Sequence, residues 1–369
     1  MNVIICGGGT AGHITPGISV AETVISKEPN SRILFIGREG GDENSIVRRR
    51  GLEIKTLKIQ GIDRKLSLKN IKSIVYASTS LMKARKIIKD FAPDVVIGTG
   101  GYVCWPVLKA AQMLNIPTVI HESNVYPGLS TRLLYNKCDR VFLNFPGSEK
   151  EFKNKDNLMT VGNPLLNNLI TETRQGARKK LGISNSEFLI LSFGGSGGSE
   201  IINKNVISLM KNYCEKVKKI RHVHATGKRY YTKIQTAYPE LAQGHNGCII
   251  YPFIEDISTY LRAADIVICR CGAMTLSEIA SAGVVSILIP SPNVTDNHQY
   301  KNGKLFVDKG AALMIEETEL NEKTLLDAVR YLENNSLLRQ KMQNNLRSFS
   351  FNNARDTIYA ELTKIVTRK

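Results

Sequence analysis

The chain has 369 residues, 42% of them hydrophobic and 22% charged, which describes a globular protein and excludes a disordered or fibrous one. Its length predicts two domains. Fifty Lys and Arg against 33 Asp and Glu give a net charge of +17, which predicts an anionic partner: a nucleotide, a nucleic acid or an acidic membrane surface.

Strand-like and helix-like segments alternate along the whole chain. The helix-like stretches are amphipathic, as in Asn70–Phe91 and Leu338–Ile365. The alternation predicts an α/β fold of βαβ units on parallel sheets. The strand-like segments are short, β-branched and bounded by turn residues: Val3–Cys6, Arg32–Gly37, Val95–Gly98, Thr118–His121, Arg140–Asn144, Leu189–Phe193, His222–Thr226, Gly247–Tyr251, Ile266–Cys269 and Val285–Pro290.

A strand that leads into a glycine loop and then a helix occurs twice. We call these loops the first glycine loop (Gly7–Gly12) and the second glycine loop (Gly194–Ser199). Two such turns predict two doubly wound domains. We place the boundary at Asn163-Pro164, because an extended Asn-Pro cannot continue a helix. The prediction is an N-terminal domain over 1–163, a C-terminal domain over 164–349, and a last helix at about 350–369 that returns to the first domain.

Residues 48–89 form a basic segment with thirteen basic side chains opposed only by Glu53 and Asp63, a net of +11. Aliphatic residues such as Leu66 and Ile71 are interspersed in it. This composition suits an anionic lipid surface, where each cation adds about 1 kcal/mol. A solvated helix face is an equal alternative. Nucleic acid is disfavoured, because interleaved aromatic residues and a known binding motif are lacking.

The cysteines and the apolar stretches limit the cellular context. Seven scattered cysteines, never spaced Cys-x-x-Cys, predict reduced thiols and neither a disulfide framework nor a zinc site. Met1–Cys6 lacks the basic region of a signal peptide. The longest uncharged stretches, Val95–Leu108 and Ile279–Thr295, are too short or too interrupted to span a bilayer. We expect a protein without a membrane span.

The first glycine loop also fits the dinucleotide pattern, Gly7-x-Gly9-x-x-Gly12. Alone it predicts a nicotinamide or flavin enzyme. His13 and Pro16, however, occupy helix positions that are usually apolar in that fold, and the second glycine loop is left unexplained. Four further segments place polar residues directly after apolar strands, where open α/β sheets bind ligands. They are Gly98–Tyr102, His121–Gly128, Cys269–Glu278 and Asp296–Tyr300.

Taken together, these motifs resemble the MurG family of membrane-associated N-acetylglucosaminyltransferases, in glycosyltransferase family 28. The resemblance covers nearly the whole chain. It is carried by Gly7–Pro16, by His121-Glu-Ser-Asn124 with Pro127-Gly-Leu129, by Gly194-Gly-Ser-x-Gly198, by Phe253-Ile-Glu-Asp256 and by Cys269-Arg-x-Gly-Ala-x-Thr-x-x-Glu278.

The resemblance implies a GT-B fold, in which two Rossmann-like domains face each other across a cleft that holds the active site. It implies inverting transfer of N-acetylglucosamine from UDP-N-acetylglucosamine to the C4 hydroxyl of the lipid-linked muramyl pentapeptide, lipid I, which gives lipid II in peptidoglycan synthesis. It implies a peripheral enzyme at the cytoplasmic face of the cell membrane, with an anionic membrane surface and other cell-wall synthesis proteins as partners. No cofactor is implied, and dependence on a divalent ion stays open.

The resemblance also implies roles for individual residues. Ser196 and the second glycine loop would hold the diphosphate, with Arg270 adding charge. Ile254 would meet the uracil and Glu278 the ribose hydroxyls, while Asn124 and Gln299 would orient the sugar. The other implied residues are Ala273, Met274, Thr275, Leu276 and Ser277 beside the nucleotide, Thr10, Ala11 and Gly12 from the first domain, and Arg64, Lys65, Gly100, Gly101 and Tyr102 on the acceptor and membrane side.

A single displacement needs a base for the acceptor hydroxyl. His13 is the first candidate, because an imidazole accepts a proton near neutral pH. Its alternative role is to bind phosphate at a helix N-terminus. Glu122 is the second candidate, and equally a structural carboxylate. Leu166 occupies the position at which the family often has an arginine that contacts the donor phosphate. Arg270 or a helix dipole would therefore have to supply the positive charge for that phosphate.

Three other functions remain open on this sequence. They are an NAD(P)-dependent oxidoreductase, a UDP-sugar epimerase on the same scaffold, and a non-catalytic basic protein that binds membrane or nucleic acid. Ligand-induced melting separates the first from a UDP enzyme, because a ligand raises the melting midpoint only of the protein that binds it.

Overall fold

The structure is a computed structural model that describes residues 1–59, 68–165 and 172–368. The chain divides into two compact units. Unit 1 comprises Met1–Leu165 with Phe351–Lys369, and unit 2 comprises Leu166–Ser350. Each unit is a parallel sheet with helices, so the predicted α/β class with two Rossmann-like domains is confirmed.

Unit 1 is built on a seven-stranded parallel sheet in the order β3-β2-β1-β4-β5-β6-β7. Its strands are β1 (Asn2–Cys6), β2 (Arg32–Arg38), β3 (Glu53–Leu57), β4 (Val95–Gly98), β5 (Thr118–Glu122), β6 (Arg140–Leu143) and β7 (Leu158–Thr160). Its first helices are α1 (Ala11–Lys27), α2 (Glu43–Arg49), α3 (Leu68–Phe91), α4 (Cys104–Met113) and α5 (Leu129–Leu134), with 3-10 turns at Tyr135–Lys137 and Ser148–Glu151.

Unit 2 is built on a six-stranded parallel sheet in the order β10-β9-β8-β11-β12-β13. Its strands are β8 (Phe188–Phe193), β9 (Ile220–Ala225), β10 (Cys248–Tyr251), β11 (Ile266–Cys269), β12 (Val285–Leu288) and β13 (Ala312–Met314). Its helices are α6 (Arg174–Lys180), α7 (Glu200–Asn212), α8 (Lys228–Ala237), α9 (Pro239–Gln243), α10 (Ile257–Ala263), α11 (Ala273–Ala282), α12 (His298–Asp308), α13 (Glu322–Glu333) and α14 (Ser336–Leu346), with 3-10 turns at Cys214–Lys216, Thr295–Asn297 and Arg347–Phe349.

The central strands are buried on both faces, as expected for a parallel sheet covered by helices. Along β1, Ile4 and Cys6 belong to one apolar cluster, while Val3 and Ile5 belong to the cluster on the opposite face. Continuous apolar runs therefore mark the strands of both sheets. All ten strand-like segments of the sequence form strands, and β3, β7 and β13 were not predicted.

The amphipathic stretch Leu338–Ile365 forms parts of two helices. Helix α14 ends at Leu346, and α15 (Ala354–Thr367) begins after a break that contains Asn352-Asn353. Helix α15 packs against α1 in unit 1, with Ile358 and Leu362 inside the apolar cluster of that face. The Tyr359 hydroxyl donates a hydrogen bond of 2.9 Å to Glu28.

The strand order places one candidate ligand site in each unit. In unit 1 it reverses between β1 and β4, and in unit 2 between β8 and β11. Ligands of open α/β sheets bind beyond the carboxyl ends of the strands at this point. The first glycine loop follows β1 and the second follows β8, so each glycine loop lies at the reversal of its own sheet.

Candidate active site

The first glycine loop is packed around a carboxylate of the protein itself. Glu43, at the start of α2, is fully buried, and its oxygens accept hydrogen bonds from the backbone N–H of Arg38 at 2.7 Å and of Gly9 at 3.5 Å. A Cβ on Gly8 or Gly41 would lie 2.3 Å from a Glu43 oxygen. Glycine is needed at these positions to admit Glu43. A carboxylate here also opposes a second anion, which disfavours a dinucleotide at this loop.

The ring of His13 is held between the loops that follow β1 and β4. Its Nδ1 lies 3.1 Å from the carbonyl oxygen of Gly8. Because that oxygen only accepts, Nδ1 carries the proton and Nε2 keeps a lone pair. The Nε2 atom has no hydrogen-bond partner in the described part of the chain. A Cβ on Gly100 would lie 2.5 Å from the ring, so glycine there makes room for it. This geometry is that of a proton acceptor.

Both oxygens of Glu122 are occupied within unit 1. Oε1 accepts from the backbone and side-chain amides of Asn124 at 3.1 and 3.3 Å. Oε2 accepts from the Gly128 N–H at 3.0 Å and the Thr131 hydroxyl at 2.7 Å. A carboxylate that accepts four hydrogen bonds fixes the conformation of the loop after β5 and the position of Asn124 in it. The geometry favours the structural alternative for Glu122.

We expect Glu122→Gln to lower stability and leave the pH dependence of turnover in place. In glutamine an NH2 group replaces one of the two oxygens, and at either position it faces a backbone N–H, so two donors oppose each other. The free energy of unfolding should therefore fall by about 2 kcal/mol. Denaturant unfolding and a pH–rate profile measure the two effects, with exposed Glu151→Gln as the control. Full stability with a collapsed turnover number would instead make Glu122 the base.

His121, in the same His-Glu-Ser-Asn motif, is a buried residue that connects β5 to the segment after β7. Its Nε2 lies 3.0 Å from the carbonyl oxygen of Gly162, and Ser123 donates a hydrogen bond to Asn163 at 3.1 Å. Burial lowers the pKa of His121, which the Gly162 carbonyl and Glu122 partly offset. A neutral, fully buried imidazole with both nitrogens near partners is suited to joining the end of β5 to the segment around residue 163.

The second glycine loop opens onto a cavity of about 590 Å³ within unit 2. The loop contributes Gly194, Gly198 and Ser199, and α7 begins directly after it. The first N–H groups of a helix lack intrahelical acceptors and attract anions. Ser196 lies exposed at the tip of the loop. The other lining residues are Glu200, Ile201, Lys204, Tyr230, Arg270, Ser291, Gln299 and Glu317.

Arg270 connects four strand ends around this cavity. Its guanidinium donates to the Ser199 hydroxyl at 2.7 Å and to the Ile289 carbonyl at 3.2 Å, and it forms an ion pair with Glu317. The charge of Arg270 is therefore already balanced by a carboxylate. Lys204, one turn into α7, has no ion-pair partner among the described residues. The lining holds two cations, Lys204 and Arg270, and two carboxylates, Glu200 and Glu317, and Lys204 is the cation that no carboxylate of the described residues pairs with.

Gln299 is presented to the cavity by a strained turn. Asp296 and Asn297 both adopt left-handed conformations, with φ of 54° and 53°. Such strain in consecutive non-glycine residues is typical of functional sites. The Gln299 side-chain oxygen accepts from the Ser291 N–H at 2.9 Å, which leaves its NH2 group as a donor.

The predicted uracil and ribose residues lie outside this cavity lining. Ile254 follows β10 and is 7% exposed. Ala273–Ser277 form the first half of α11, where Leu276 and Ser277 are buried and Met274 and Thr275 are half-buried. Glu278 is half-buried, and its carboxylate has no hydrogen-bond or ion-pair partner in the described ranges. Burial raises its pKa to about 7.

The remaining predicted residues are in unit 1 or outside the described ranges. Thr10 precedes α1, Ala11 and Gly12 open it, and Gly100, Gly101 and Tyr102 follow β4. A Cβ on Gly101 would lie 2.3 Å from the carbonyl oxygen of Gly8, so the structure brings the first glycine loop and the β4 loop together. Arg64, Lys65 and Leu166 lie outside the described residues.

The described residues contain neither a group of metal ligands nor a helix that could span a membrane. In residues 1–59, 68–165 and 172–368, no three or more His, Cys, Asp or Glu side chains are grouped to hold a metal ion. None of the helices in those ranges has both the length and the apolar character that crossing a bilayer requires.

Sequence reasoning missed several cavity and loop residues. Lys204 lies six residues after Gly198 and Tyr230 three residues after Gly227, each on a helix that follows a strand end, and that spacing was the available signal. Ser291 follows β12 at the same edge of the sheet. Glu43 carries no local pattern, because only the fold shows that its carboxylate lies under the first glycine loop.

Comparison with known proteins defines the family. Residues 3–143 match the glycosyltransferase family 28 N-terminal domain, and residues 189–358 match the C-terminal domain of that family. The UDP-N-acetylglucosamine--N-acetylmuramyl-(pentapeptide) pyrophosphoryl-undecaprenol N-acetylglucosamine transferase of Acetivibrio thermocellus is 41% identical, covering 100% of this chain and 99% of that protein. The transferase of the same name from Thermoanaerobacter sp. is 40% identical, with 100% of both chains covered.

Solved structures agree with this assignment. The crystal structure of Acinetobacter baumannii MurG superposes with a TM-score of 0.79 at 26% identity, over 98% of this chain and 99% of that one. A UDP-GlcNAc 2-epimerase from Neisseria meningitidis bound to UDP-GlcNAc gives 0.65 at 16% identity over 99% of this chain and 100% of that one, a likeness of fold alone. The chain belongs to glycosyltransferase family 28, and within it to the MurG transferases.

Proposed function

We propose that this chain transfers N-acetylglucosamine from UDP-N-acetylglucosamine to the C4 hydroxyl of lipid I, with inversion, to give lipid II. The contrast between the two glycine loops carries the proposal. The second opens onto a polar cavity with an unpaired lysine, whereas the first is filled by Glu43. Similarity over the whole chain to transferases of that name supports the same reaction.

Unit 2 provides the groups that a nucleotide diphosphate requires. The N-terminus of α7 directs N–H groups and a positive dipole toward the second glycine loop. Lys204 adds a cation, and Ser196 at the loop tip adds a hydroxyl. In the proposed complex these groups stabilise the charge that develops on UDP as it leaves. The NH2 group of Gln299 donates a hydrogen bond to the sugar, and the Glu278 carboxylate accepts hydrogen bonds from the ribose hydroxyls.

Unit 1 provides the proton acceptor. In the proposed step the C4 oxygen of the acceptor forms a bond to the anomeric carbon as the bond to the UDP oxygen breaks. The acceptor proton passes to Nε2 of His13, whose Nδ1 is held by Gly8. The leaving electron pair goes to the diphosphate. A single displacement of this kind turns an α-linked donor into a β-linked product.

We further propose that unit 1 rests on an anionic membrane surface. Five apolar side chains are exposed on adjacent elements of this unit: Met82, Tyr102, Met113, Leu129 and Leu133. They lie on or beside α3, α4 and α5, and α4 contacts both α3 and α5. Exposed cations accompany them, among them Lys83, Arg85 and Lys86 on α3 and Arg132 on α5. Apolar side chains flanked by Lys and Arg suit a lipid headgroup layer.

Neutralising Lys83, Arg85 and Lys86 together should weaken binding to vesicles that contain anionic lipid by about 10²-fold, since each cation contributes about 1 kcal/mol. Sedimentation with phosphatidylglycerol vesicles measures this. The matched control neutralises Lys323, Lys341 and Arg347, three exposed cations of unit 2. Equal loss in both variants, or none in either, contradicts a membrane-facing role for α3.

The reaction itself is tested with UDP-N-acetylglucosamine and a short-chain lipid I analogue, following UDP release and the disaccharide product. Product that depends on both substrates is expected. Conversion of the donor without acceptor would indicate an epimerase. Stabilisation by a nicotinamide cofactor but not by UDP would indicate an oxidoreductase.

A further inference from the structure

A buried line of hydrogen bonds runs through unit 2 behind the second glycine loop. We define the buried relay as Cys214, His222, Ser192, His224 and Asn203. Ser192 lies on β8, both histidines lie on β9, and Asn203 lies on α7. Ser192 and the two histidines are 0% exposed. Polar groups that are removed from water in this way lower the stability of the fold unless each has a hydrogen-bond partner. The positions of these side chains therefore depend on their hydrogen bonds to one another.

The distances define a continuous path. The Cys214 sulfur lies 3.5 Å from His222 Nδ1, and His222 Nε2 lies 2.8 Å from the Ser192 hydroxyl. That hydroxyl lies 2.8 Å from His224 Nδ1, and His224 Nε2 lies 3.1 Å from Asn203 Oδ1. Finally, Asn203 Nδ2 donates to the Thr226 carbonyl at 2.9 Å.

The last bond of the path fixes the orientation of the Asn203 amide. The Thr226 carbonyl only accepts, so Asn203 must turn its NH2 group to it and its oxygen to His224. His224 Nε2 thus faces the Asn203 oxygen, while His224 Nδ1 lies 2.8 Å from the Ser192 hydroxyl and 3.1 Å from the Ser192 backbone carbonyl oxygen. Burial lowers the pKa of His224 to about 4 and that of His222 well below its ordinary value, so both rings are neutral near pH 7. A neutral imidazole has one N–H, and in the relay that proton of His224 is on Nε2 and not on Nδ1 toward the Ser192 carbonyl. His224 Nδ1 then accepts from the Ser192 hydroxyl, Ser192 accepts from His222 Nε2, and His222 Nδ1 accepts from the Cys214 thiol.

The relay ends on the backbone that supports the second glycine loop. A Cβ on Gly198 would lie 2.3 Å from the Thr226 carbonyl oxygen, and a Cβ on Gly227 would lie 2.6 Å from the Gly198 Cα. Asn203 thus fixes the segment Thr226–Gly227, against which Gly198 packs. Its own backbone N–H donates to Ser199 in the same loop. One residue holds both the start of α7 and the backbone beside the loop.

We propose that the buried relay is a positioning network that fixes the conformation of the second glycine loop for binding the donor diphosphate. Asn203 is the member of the network that contacts the backbone supporting this loop. The inference rests on the proposed function, because it assigns the diphosphate to that loop. Asn203 does not line the cavity, so it acts through the loop and not by contact.

Two variants of Asn203 separate its two bonds. Asn203→Asp still accepts from His224 but places an oxygen against the Thr226 carbonyl, and Asn203→Ala removes both bonds. The matched control is Asn205→Ala. Asn205 is a buried amide on the same helix, and among the described residues its side chain bonds only within that helix, to the Ile201 carbonyl.

Both Asn203 variants should raise the KM for UDP-N-acetylglucosamine and the Kd for UDP about tenfold, the scale of one lost buried hydrogen bond. The turnover number should stay near that of the parent protein, as for a loss of ground-state binding. The control should change neither constant. A role in stability alone would lower the melting midpoint and leave both constants unchanged, and that result overturns the proposal.

The parent protein provides an independent measurement. With six histidines in the chain, long-range proton–nitrogen NMR spectra can resolve the tautomers. His222 and His224 should both be protonated at Nε2 and not at Nδ1. Protonation of Nδ1 in either ring breaks the relay and overturns the inference even if the Asn203 variants fail to fold. Absence of UDP binding by the parent protein would overturn the proposed function, whereas unchanged UDP binding by folded Asn203→Asp overturns the relay alone.

Discussion

Replacing His13 by alanine should lower the turnover number at least about 10²-fold, the scale of losing one acid–base catalyst. The expectation comes from the ring geometry. Gly8 holds the proton on Nδ1, so the Nε2 lone pair is available without a preceding proton transfer. The ring is packed beside Gly100, which fixes its direction. A base whose orientation is restricted in this way is already positioned for proton transfer.

Steady-state kinetics at saturating donor and acceptor measure this effect, together with the melting midpoint and the Kd for UDP. UDP binding should survive in His13→Ala, because the proposed diphosphate groups belong to unit 2. The control is His245→Ala, which removes an exposed imidazole of unit 2 that lies 3.0 Å from the side chain of the neighbouring Asn246. Near-normal turnover of His13→Ala at saturating acceptor would remove His13 from the mechanism.

Local sequence patterns predicted the central strands because burial on both faces leaves continuous apolar runs. Glu53–Leu57 was not predicted, because alternate charged residues on this edge strand interrupt its apolar pattern. Leu158–Thr160 and Ala312–Met314 have only three residues each, too few for a periodicity to appear. Edge position and short length are therefore the physical reasons for the missing strands.

The candidate site was predicted where glycines and polar residues follow strands directly. Arg270 and Gln299 lie in two of the segments singled out in that way, their roles came from the family resemblance, and the structure brings both to the lining of the same cavity as the second glycine loop. Glu43 was not identified, because it lies 34 residues from the glycine whose N–H it accepts. The buried relay was missed for the same reason: its partners come from β8, β9 and α7, and each alone is an unremarkable core residue.

Glu278 should make donor binding depend on pH. Burial raises the pKa of its carboxyl from an ordinary 4.5 to about 7, and the described residues offer it no partner. Ribose hydroxyls that donate to the carboxylate would favour the charged form, so donor binding would release a proton. Affinity for UDP-N-acetylglucosamine should then be highest above pH 7 and fall as the pH drops below 7, by up to about tenfold per unit.

The same carboxyl should lower stability at high pH. Between pH 4.5 and 7 the folded protein binds more protons at Glu278 than the unfolded chain does, so stability falls as the pH rises through this window. Glu278→Gln removes the charged form. Its free energy of unfolding should match that of the parent protein near pH 4.5 and exceed it by about 3 kcal/mol above pH 7.

Glu278→Gln should thus be more stable at pH 8 and bind the donor more weakly, with no dependence of affinity on pH between 6 and 8. Denaturant unfolding and calorimetric titration with UDP-N-acetylglucosamine measure the two, since the diphosphate diester keeps a fixed charge in this range. Exposed Glu316→Gln is the control and should change neither quantity. The gain and the loss have one cause, because a carboxylate kept without a partner lowers stability until a ligand supplies its hydrogen-bond donors. A variant that gains stability but keeps the affinity and pH dependence of the parent protein would place the ribose elsewhere.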